Sequence, residues 1–387
     1  MNLELSEEQA AVRALAAEFT DREIAPFASE WDRAESVDRA IIGKLGKLGF
    51  LGLTIPEEYG GSGGDHLAYC LVLEELGRGD SAVRGIVSVS LGLVGKSINS
   101  YGTEEQKRHW LPRLCSGEAL ACFALTEPGT GSDAGNLTTK AVRDGEDWLI
   151  SGAKMFITNG TWADVALVFA RTGGSDPEKQ GHKGVTAFLV PTGTPGFERR
   201  EIHGKLGLRG QATAELSLEQ VRVPDSARLG AEGKGFTVAM AALAKGRMSV
   251  AAGCVGIIQA SLDAAVRYAT EREQFGKPIA AHQLVQELLS DIAVDLDAAR
   301  LLTWRVADHI ERGLPFATES SVAKLYASEA AVRCANNALQ VFGGYGFIDE
   351  YPVGKLVRDA RVMTLYEGTS QVHKLLIGRS LTNINAF

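Results

Sequence analysis

The spacing of apolar residues divides the chain into three stretches, the first of which is helical. In "SEEQAAVRALAAEF" apolar positions recur every three or four residues, and Ser6 with Gln9 has the arrangement of a capping box that opens a helix. The segments "HLAYCLVLEELGRGD" and "SAVRGIVSVSLGLVGKSINSYG" also predict helices. The second is apolar almost all round, which predicts that it is buried. We predict an N-terminal α-helical domain over residues 1–118.

The second stretch, residues 119–228, has the pattern of a β domain. Short runs rich in β-branched and aromatic residues, such as "LACFALTEP", "DVALVFART" and "GVTAFLVP", are separated by clusters of Gly, Asp, Asn and Pro. The Asp-Gly pair in "RDGEDWLI" predicts a hairpin. These features predict a middle antiparallel β domain, built as a barrel or a sandwich.

The third stretch, residues 229–387, returns to helical spacing in long segments. One of them is "HQLVQELLSDIAVDLDAARLLTWRVADHIERG", which ends at Gly313. Segments of this length are typical of a four-helix bundle. The predicted fold class is therefore α+β, with a helical domain, an antiparallel β domain and a C-terminal helical bundle in that order.

Composition and charge exclude several classes of partner. Hydrophobic residues make up 45% of the chain and charged residues 23%, and the net charge is -8. A negative protein lacks the positive field that nucleic acid or an anionic membrane requires, so we expect neither as a partner. We see no apolar run approaching the roughly 20 residues of a membrane span and expect none.

The cysteines and the N-terminus indicate a cytoplasmic protein. The five cysteines are scattered without a CxxC pair, so we expect no metal site and no disulfide framework. Reduced thiols are typical of the cytosol. The sequence "MNLELSEEQAAVRALAAEF" is acidic and amphipathic, unlike a secretory signal or a transit peptide.

Five motifs follow one another along the chain: "LTEPGTGSD" (125–133), "KMFITNG" (154–160), "EREQFGKPI" (271–279), "QVFGGYGF" (340–347) and "YEGTSQ" (366–371). In this order, across helical, β and helical stretches, they resemble the acyl-CoA dehydrogenase family over essentially the whole length. The resemblance implies a flavoprotein that binds FAD, oxidises a CH–CH bond of a short-chain acyl-CoA in fatty acid or amino acid catabolism, and passes the electrons to an electron-transferring flavoprotein.

Glu367 is the candidate catalytic residue. It follows the apolar run "VMTLY", and a carboxylate sheltered from water becomes a stronger base. The resemblance implies that Glu367 removes the α-proton of the thioester while flavin accepts the β-hydride. Some family members carry the base on a bundle helix, at the position of Gly246 here, so Glu367 is the base that this sequence offers. The alternative is an exposed turn glutamate.

The resemblance also implies a set of FAD contacts. Residues from the bundle would reach the FAD of a neighbouring subunit, with Arg272 at its pyrophosphate. The cofactor would then lie at the interface of a homotetramer arranged as a dimer of dimers. Without the resemblance, these motifs are ordinary strand-end turns and solvated helix ends. The full set of predicted contacts is Phe123, Leu125, Thr126, Ser132, Phe156, Thr158, Arg272, Phe275, Gln283, Gln340, Gly343, Gly344, Thr369 and Gln371.

The predicted substrate contacts are Arg84, Ser88, Ser132, Arg247, Tyr366 and Gly368. On a helix Arg84 and Ser88 share a face. Arg84 coincides with the arginine that holds the distal carboxylate in glutaryl-CoA dehydrogenases, and Ser88 matches a serine of their pocket. Gly77 stands where those enzymes have a glutamate, so decarboxylation need not follow oxidation. Alternatively, Arg84 reaches solvent or pairs with Asp80, and the substrate is a straight or branched short-chain acyl-CoA such as butyryl- or isobutyryl-CoA.

Three further interpretations complete the predictions. A flavin oxidase or monooxygenase of the same fold is a second enzyme class, although Glu367 argues against it. A DNA-binding relative would need a basic face, which the net charge of -8 disfavours. His373, six residues after Glu367, could face the pocket, but we favour a capping or surface role.

Overall fold

The computed structural model describes residues 4–172 and 181–385. Its N-terminal part is helical, as predicted. A π-helical stretch, Ser88–Gly95, joins two of the helices, so residues 81–101 form one continuous helical segment. The helices are α1 (Glu7–Glu23), α2 (Ala28–Ala34), α3 (Ala40–Lys47), α4 (His66–Gly79), α5 (Ser81–Val87), α6 (Lys96–Tyr101) and α7 (Glu104–Ser116).

Side-chain caps fix where the helices begin. Ser6 and Gln9 form the predicted capping box at the start of α1. Asp65 caps α4 through the backbone N–H of Ala68, and Asp80 caps α5 through that of Ala82. The helical segment 81–101 is buried almost throughout, which confirms the prediction from its apolar composition.

A seven-stranded sheet follows. Strand β4 has β5 along one edge and both β1 and β2 along the other, and the sheet continues from β2 through β3 and β7 to β6. The predicted hairpin joins β2 to β3, with Gly145 at a left-handed φ of 65° in the turn. The strands are β1 (Ala121–Ala124), β2 (Lys140–Asp144), β3 (Asp147–Thr158), β4 (Val165–Arg171), β5 (Val185–Pro191), β6 (Phe197–Glu201) and β7 (Thr213–Pro224).

The pairing within this sheet is not wholly antiparallel as predicted. Strands β1 and β2 both run parallel to β4, while the other pairings are antiparallel. A parallel pair needs a long connection, and about forty residues separate β1 from β4, so local turn signals could not reveal it.

The C-terminal part contains three long helices, α8 (Gly235–Glu271), α9 (Gln283–Glu311) and α10 (Ala317–Phe342), and two shorter ones, α11 (Val353–Met363) and α12 (Ser370–Thr382). The long helices pack side by side, with α11 and α12 on α10. A small hairpin, β8 (Glu273–Gln274) and β9 (Lys277–Pro278), follows α8. Helix α4 packs along α8, which joins the N-terminal domain to the bundle.

Two long helical segments are apolar because they are buried in the hydrophobic core. Alternate residues of β4 and β5 face either the helices or a second hydrophobic cluster on the far side of the sheet. Segments 81–101 and 235–271 are long and apolar enough to cross a membrane by composition, contrary to our expectation from the sequence. Their most apolar windows are 94% and 67% buried inside the protein, as core helices are. All five cysteines are buried as well.

Candidate active site

A short loop between α11 and α12 presents Glu367. Backbone hydrogen bonds from Tyr366 to Val362 (3.2 Å) and from Ser370 to Thr364 (3.1 Å) close the loop at both ends. Inside it, Glu367 has a φ of 52° and Gly368 a φ of 98°. The left-handed region is unusual for a glutamate, so the loop holds this residue in a specific conformation.

The carboxylate of Glu367 points into the protein against α8. Its Oε2 atom is buried without a hydrogen-bond partner among the described residues, although the residue as a whole is half-buried. A Cβ placed on Gly246 would lie under 3.0 Å from this oxygen and from Leu93. Burial raises the pKa of Glu367 to about 7, against the opposing charges of the buried Arg84 and Lys324 and the half-buried Arg247.

Arg84 is buried beside Glu367, with 2% of its surface exposed. Its guanidinium donates to Ser88 Oγ (3.1 Å) and to Tyr366 Oη (2.6 Å), while its Nε has no partner. No carboxylate among the described residues lies within ion-pair distance of it. Asp80 instead caps α5 and pairs with Lys355. The structure thus contradicts the alternative in which Arg84 reaches solvent or pairs with Asp80.

Arg247, Lys324 and His373 complete the surroundings of the base. Arg247 Nη1 donates to Ser321 Oγ at 3.4 Å, and burial lowers the pKa of its guanidinium. Lys324 Nζ donates to the carbonyl of Gly368 at 2.7 Å. His373 is fully buried, so its predicted surface role was wrong: the first turn of α12 turns its ring towards Gly368. The sequence analysis did not identify Lys324.

A second group of predicted residues lies where β1 and β3 end. A register shift between Lys154 and Ile157 turns the Phe156 ring outward, leaving 66% of the residue exposed. Two residues later, Thr158 Oγ1 donates to Gln211 Oε1 (3.3 Å), and Gln211 reaches α5 through the carbonyl of Ala82. Gln211 is a neighbour that the motifs did not reveal.

The loop after β1 lies beside this group. The carbonyl of Thr126 accepts from the backbone of Met155, and the ring of Phe123 packs on Phe169. Leu125 is buried, and Ser132 is exposed at the far end of the loop.

A buried ion pair, Glu127 with Lys154, anchors that loop. The two side chains lie 2.8 Å apart, and Glu127 also accepts from the backbone N–H groups of Thr138 and Thr139. Burial opposes ionisation of Glu127, but the ammonium and the hydrogen bonds outweigh it and lower the pKa to about 2. The motif reading missed this pair because a Glu in a polar loop looks like a surface residue.

The remaining predicted cofactor residues lie elsewhere. An open cleft of about 460 Å³ near the end of α8 is lined by Arg272, Gly343 and Gly344. Gln340, which lies in α10 one turn before Gly343, is exposed. Phe275 is 93% exposed in the adjacent hairpin, and Gln283 begins α9. Gly246 and Arg272 are separated by about two-thirds of the length of α8, on the order of 40 Å at 1.5 Å per residue.

Thr369 and Gln371 stand at the start of α12, directly after Glu367 and Gly368. Thr369 caps the helix by accepting from the backbone of Val372 (3.2 Å), while Gln371 is exposed. The structure therefore brings Glu367, Arg84, Ser88, Arg247, Tyr366 and Gly368 together and keeps the cleft residues apart from them.

Comparison with protein families identifies relatives along nearly the whole chain. Models of the N-terminal, middle and C-terminal domains of acyl-CoA dehydrogenase match residues 6–118, 122–221 and 233–382. An acyl-CoA dehydrogenase of Bacillus subtilis is 43% identical over 98% of this chain and 99% of its own length. The human mitochondrial short-chain specific acyl-CoA dehydrogenase is 43% identical over 94% of this chain and 87% of its own.

Solved structures give the same result. Butyryl-CoA dehydrogenase from Megasphaera elsdenii superposes with a TM-score of 0.95 at 39% identity, covering 98% of this chain and all of that one. A glutaryl-CoA dehydrogenase of Mycobacterium smegmatis in complex with FADH2 gives 0.94 at 38% identity, covering 99% and 96%. A chain from work on the electron transferring flavoprotein of Acidaminococcus fermentans gives 0.96 at 40% identity, covering 99% and 100%.

Proposed function

Because the chain belongs to the acyl-CoA dehydrogenase family, we propose that it oxidises the Cα–Cβ bond of a short-chain acyl-CoA with Glu367 as the base. The observation that carries this proposal is the Glu367 carboxylate, whose Oε2 is buried without a protein partner. An orphaned buried oxygen is costly unless a ligand meets it. In the proposed complex this free oxygen is available to take the proton from the α-carbon of a bound thioester.

The residues around Glu367 suit proton abstraction. A pKa of about 7 leaves much of the carboxylate ionised at neutral pH while keeping it basic enough to take a weakly acidic proton. We assign the backbone N–H of Glu367 the task of donating to the thioester oxygen, where negative charge develops as the proton leaves. Arg247, beside Gly246 on α8, would contact the CoA portion.

The residues present fit FAD as the cofactor. The exposed ring of Phe156 offers a stacking surface beside the hydroxyl of Thr158, and nothing lies within 4 Å of a Cβ built on Gly129 or Gly131, so the loop after β1 is open to a ligand. Bound FAD would supply the acceptor for the β-hydride. We propose that Phe123, Leu125, Thr126, Ser132, Phe156, Thr158, Thr369 and Gln371 hold it.

Residues of a second copy would complete that site. Arg272 stands on the order of 40 Å along α8 from Gly246, farther than a side chain can reach. We therefore propose that Arg272, Phe275, Gln283, Gln340, Gly343 and Gly344 contact the FAD of a partner subunit in a dimer of dimers. An electron-transferring flavoprotein is the proposed acceptor, and the cytoplasm the proposed location.

The substrate has two candidates. A buried guanidinium without a carboxylate partner favours a dicarboxylic acyl group such as glutaryl, whose distal carboxylate would pair with Arg84. In the second candidate, Arg84 is a structural residue held by its hydrogen bonds to Ser88 and Tyr366, and a straight or branched monocarboxylic acyl group is the substrate. Gly77 packs against α8, and a Cβ there would lie 2.8 Å from the carbonyl oxygen of Gly253, so the helix contact leaves no room for the glutamate of glutaryl-CoA dehydrogenases.

The central test mixes the holoprotein anaerobically with butyryl-, isobutyryl- and glutaryl-CoA and follows bleaching of the flavin absorbance. Glu367→Gln should slow bleaching by on the order of 10²–10⁴-fold, because the amide cannot take the proton. Equal rates for the variant and the parent would remove Glu367 from the mechanism. In a separate assay in air-saturated buffer, rapid substrate-dependent peroxide formation would instead favour a flavin oxidase.

The substrate test compares Arg84→Met with the parent on the same three thioesters. Loss of a charge-assisted pair should lower kcat/KM for glutaryl-CoA by about 10- to 100-fold and leave butyryl-CoA little changed. A loss that is equal on all three thioesters would assign Arg84 to the structure of the pocket.

A further inference from the structure

Lys324 lies beneath the loop that carries Glu367. It stands on α10 in the run "SSVAKLYAS", among small residues, and none of its surface is exposed. Its ammonium donates at 2.7 Å to the carbonyl of Gly368, the residue directly after Glu367. The two residues of that turn have left-handed φ values of 52° and 98°, so the lysine is bonded to the backbone at the point where the loop turns most sharply.

No carboxylate among the described residues forms an ion pair with Lys324. Burial lowers the pKa of its ammonium to about 8, which leaves it charged at neutral pH. The charged and titratable groups that influence it come from four elements: Cys254 and Arg247 on α8, Glu329 on its own helix, His373 on α12 and Glu367 in the loop.

These neighbours leave Glu367 as the main negative charge inside the pocket. Burial, followed by the charges of Lys324 and Arg247, lowers the pKa of His373 to about 3, so the imidazole stays neutral. Glu329 is engaged with the hydroxyl of Ser370 at the start of α12. With Arg84 on α5 and Arg247 on α8, the ammonium of Lys324 therefore acts on Glu367 through space, in the direction that favours the ionised carboxylate.

A hydrogen bond to a backbone carbonyl does not by itself require a charge. A buried amide or hydroxyl could satisfy Gly368 at lower desolvation cost than an ammonium. The presence of a full charge at this position indicates a function for the charge as well as for the hydrogen bond.

We propose that Lys324 is a positioning residue for the base: its hydrogen bond fixes the Glu367–Gly368 turn, and its charge keeps the Glu367 carboxylate ionised near neutral pH. Lys324 itself exchanges no proton with the substrate. This inference rests on the proposed role of Glu367 as the base.

The two contributions can be separated by two substitutions. Lys324→Gln keeps an N–H donor near the Gly368 carbonyl but removes the charge, whereas Lys324→Met removes both. Loss of the charge should raise the pKa of Glu367, so that more alkaline conditions are needed to ionise it. Loss of the hydrogen bond should lower the rate at every pH, because the turn is no longer held.

The experiment measures exchange of the substrate α-hydrogens with D2O by NMR and anaerobic flavin bleaching, both across a pH series. Exchange reports proton abstraction without net oxidation. Lys374→Met, on the exposed face of α12, is the matched control, because it removes one positive charge near the loop without contacting it. Thermal unfolding and flavin content establish that each variant is folded.

We expect the rising limb of both profiles to move up by about one pH unit or more in Lys324→Gln, which is roughly a fivefold loss of rate at the parent's midpoint and about tenfold well below it. Lys324→Met should show the same shift and a lower plateau, and Lys374→Met neither effect. If Lys324→Met does not fold, the shift in Lys324→Gln decides. A profile of Lys324→Gln that coincides with that of the parent would overturn the proposal. Absence of exchange and bleaching in the parent would instead refute the proposed function, and this inference with it.

Discussion

Burial disfavours the negative charge of Glu367, and three nearby cations favour it. The balance places its pKa at about 7, well above the ordinary value for a glutamate. Each cation comes from a different helix, Arg84 from α5, Arg247 from α8 and Lys324 from α10, so the basicity of one side chain depends on packing throughout the molecule.

The pH dependence follows from this shift. We expect the rate of flavin reduction in the holoprotein to rise with pH through about 7, as Glu367 ionises, and stopped-flow absorbance would measure it. A rate that is flat between pH 6 and 8 would contradict the assignment of Glu367 as the base.

The ionisation of Glu367 also affects the stability of the fold, with a definite sign. Because its folded pKa exceeds the unfolded value of 4.5, the folded state binds the proton more tightly, so the contribution to stability is complete below pH 4.5 and is lost as the pH rises through 7.

Gly246 provides a second test at the scale of one residue. Gly246→Ala would place a methyl group against the Glu367 carboxylate and displace it, so we expect turnover to fall by about 10²-fold while flavin content is unchanged. Gly43→Ala, at an exposed position in α3 with nothing within 4 Å, is the control and should leave turnover unaltered. Full activity of Gly246→Ala would show that the carboxylate works from another position.

The sequence identified some residues of the candidate site and not others, for physical reasons. Glu367 and Arg84 stand in recognisable motifs or at a helical spacing from a partner, and the structure brings them together. Lys324 and His373 could not be placed, because a lysine among alanines and a histidine in a polar helix look the same whether buried or exposed. Their burial depends on which helices pack together, which is not a local property.

At the scale of elements, the junction of β1 and β3 depends on one buried ion pair. Glu127 and Lys154 are both buried, and they connect the loop after β1 to the middle of β3, next to the strand end that carries Phe156. The pair therefore fixes the relative position of two motifs that the sequence analysis treated as separate.

Lys154→Met should be strongly destabilising. The substitution leaves the Glu127 charge buried and unpaired, which costs about 3–5 kcal/mol, and chemical denaturation would measure it. The double variant Glu127→Gln with Lys154→Met should recover part of that loss, because the unpaired charge is gone. A single variant as stable as the parent would mean that Glu127 finds another partner.

The same pair makes stability depend on pH. Because the pKa of Glu127 is lowered in the folded protein, its ionised carboxylate contributes stability above pH 4.5, and this contribution is lost as the pH falls towards 2.

Helices were easier to predict than strand partners. Apolar periodicity and the Ser6 cap identify α1 locally, and the Asp-Gly turn identifies the β2–β3 hairpin. The parallel pairing of β1 with β4, and the register shift that turns Phe156 outward, depend on contacts between distant parts of the chain. The domain limits at residues 118 and 228 stay predictions.

At the scale of the whole molecule, the predicted cofactor residues fall into two groups that lie far apart in one copy of the chain. In the proposed shared site, the cleft beside Arg272 and the exposed Phe275 would meet a cofactor near the Glu367 of a second copy. Association and cofactor binding should therefore be linked, since a group that binds the assembled form stabilises it.

Arg272→Ala tests that linkage. We expect FAD to dissociate about 10- to 100-fold more readily on dilution, because a charge-assisted contact is lost, and to be regained at high protein concentration. Flavin fluorescence and light scattering across a dilution series would measure both. Arg108→Ala, at an exposed arginine on α7, is the control. Retention of FAD by a monomeric form of the parent would contradict the shared site.

The burial of all five thiols has a further consequence. Burial raises the pKa of Cys115 to about 11 and that of Cys122 to about 12, so neither is a thiolate at neutral pH. A labelling reagent can reach each sulphur only after its own surroundings open. The five cysteines lie on α4, α7, β1, α8 and α10, so each reports on a different element. The order in which they react with the reagent would give the order in which these elements unfold.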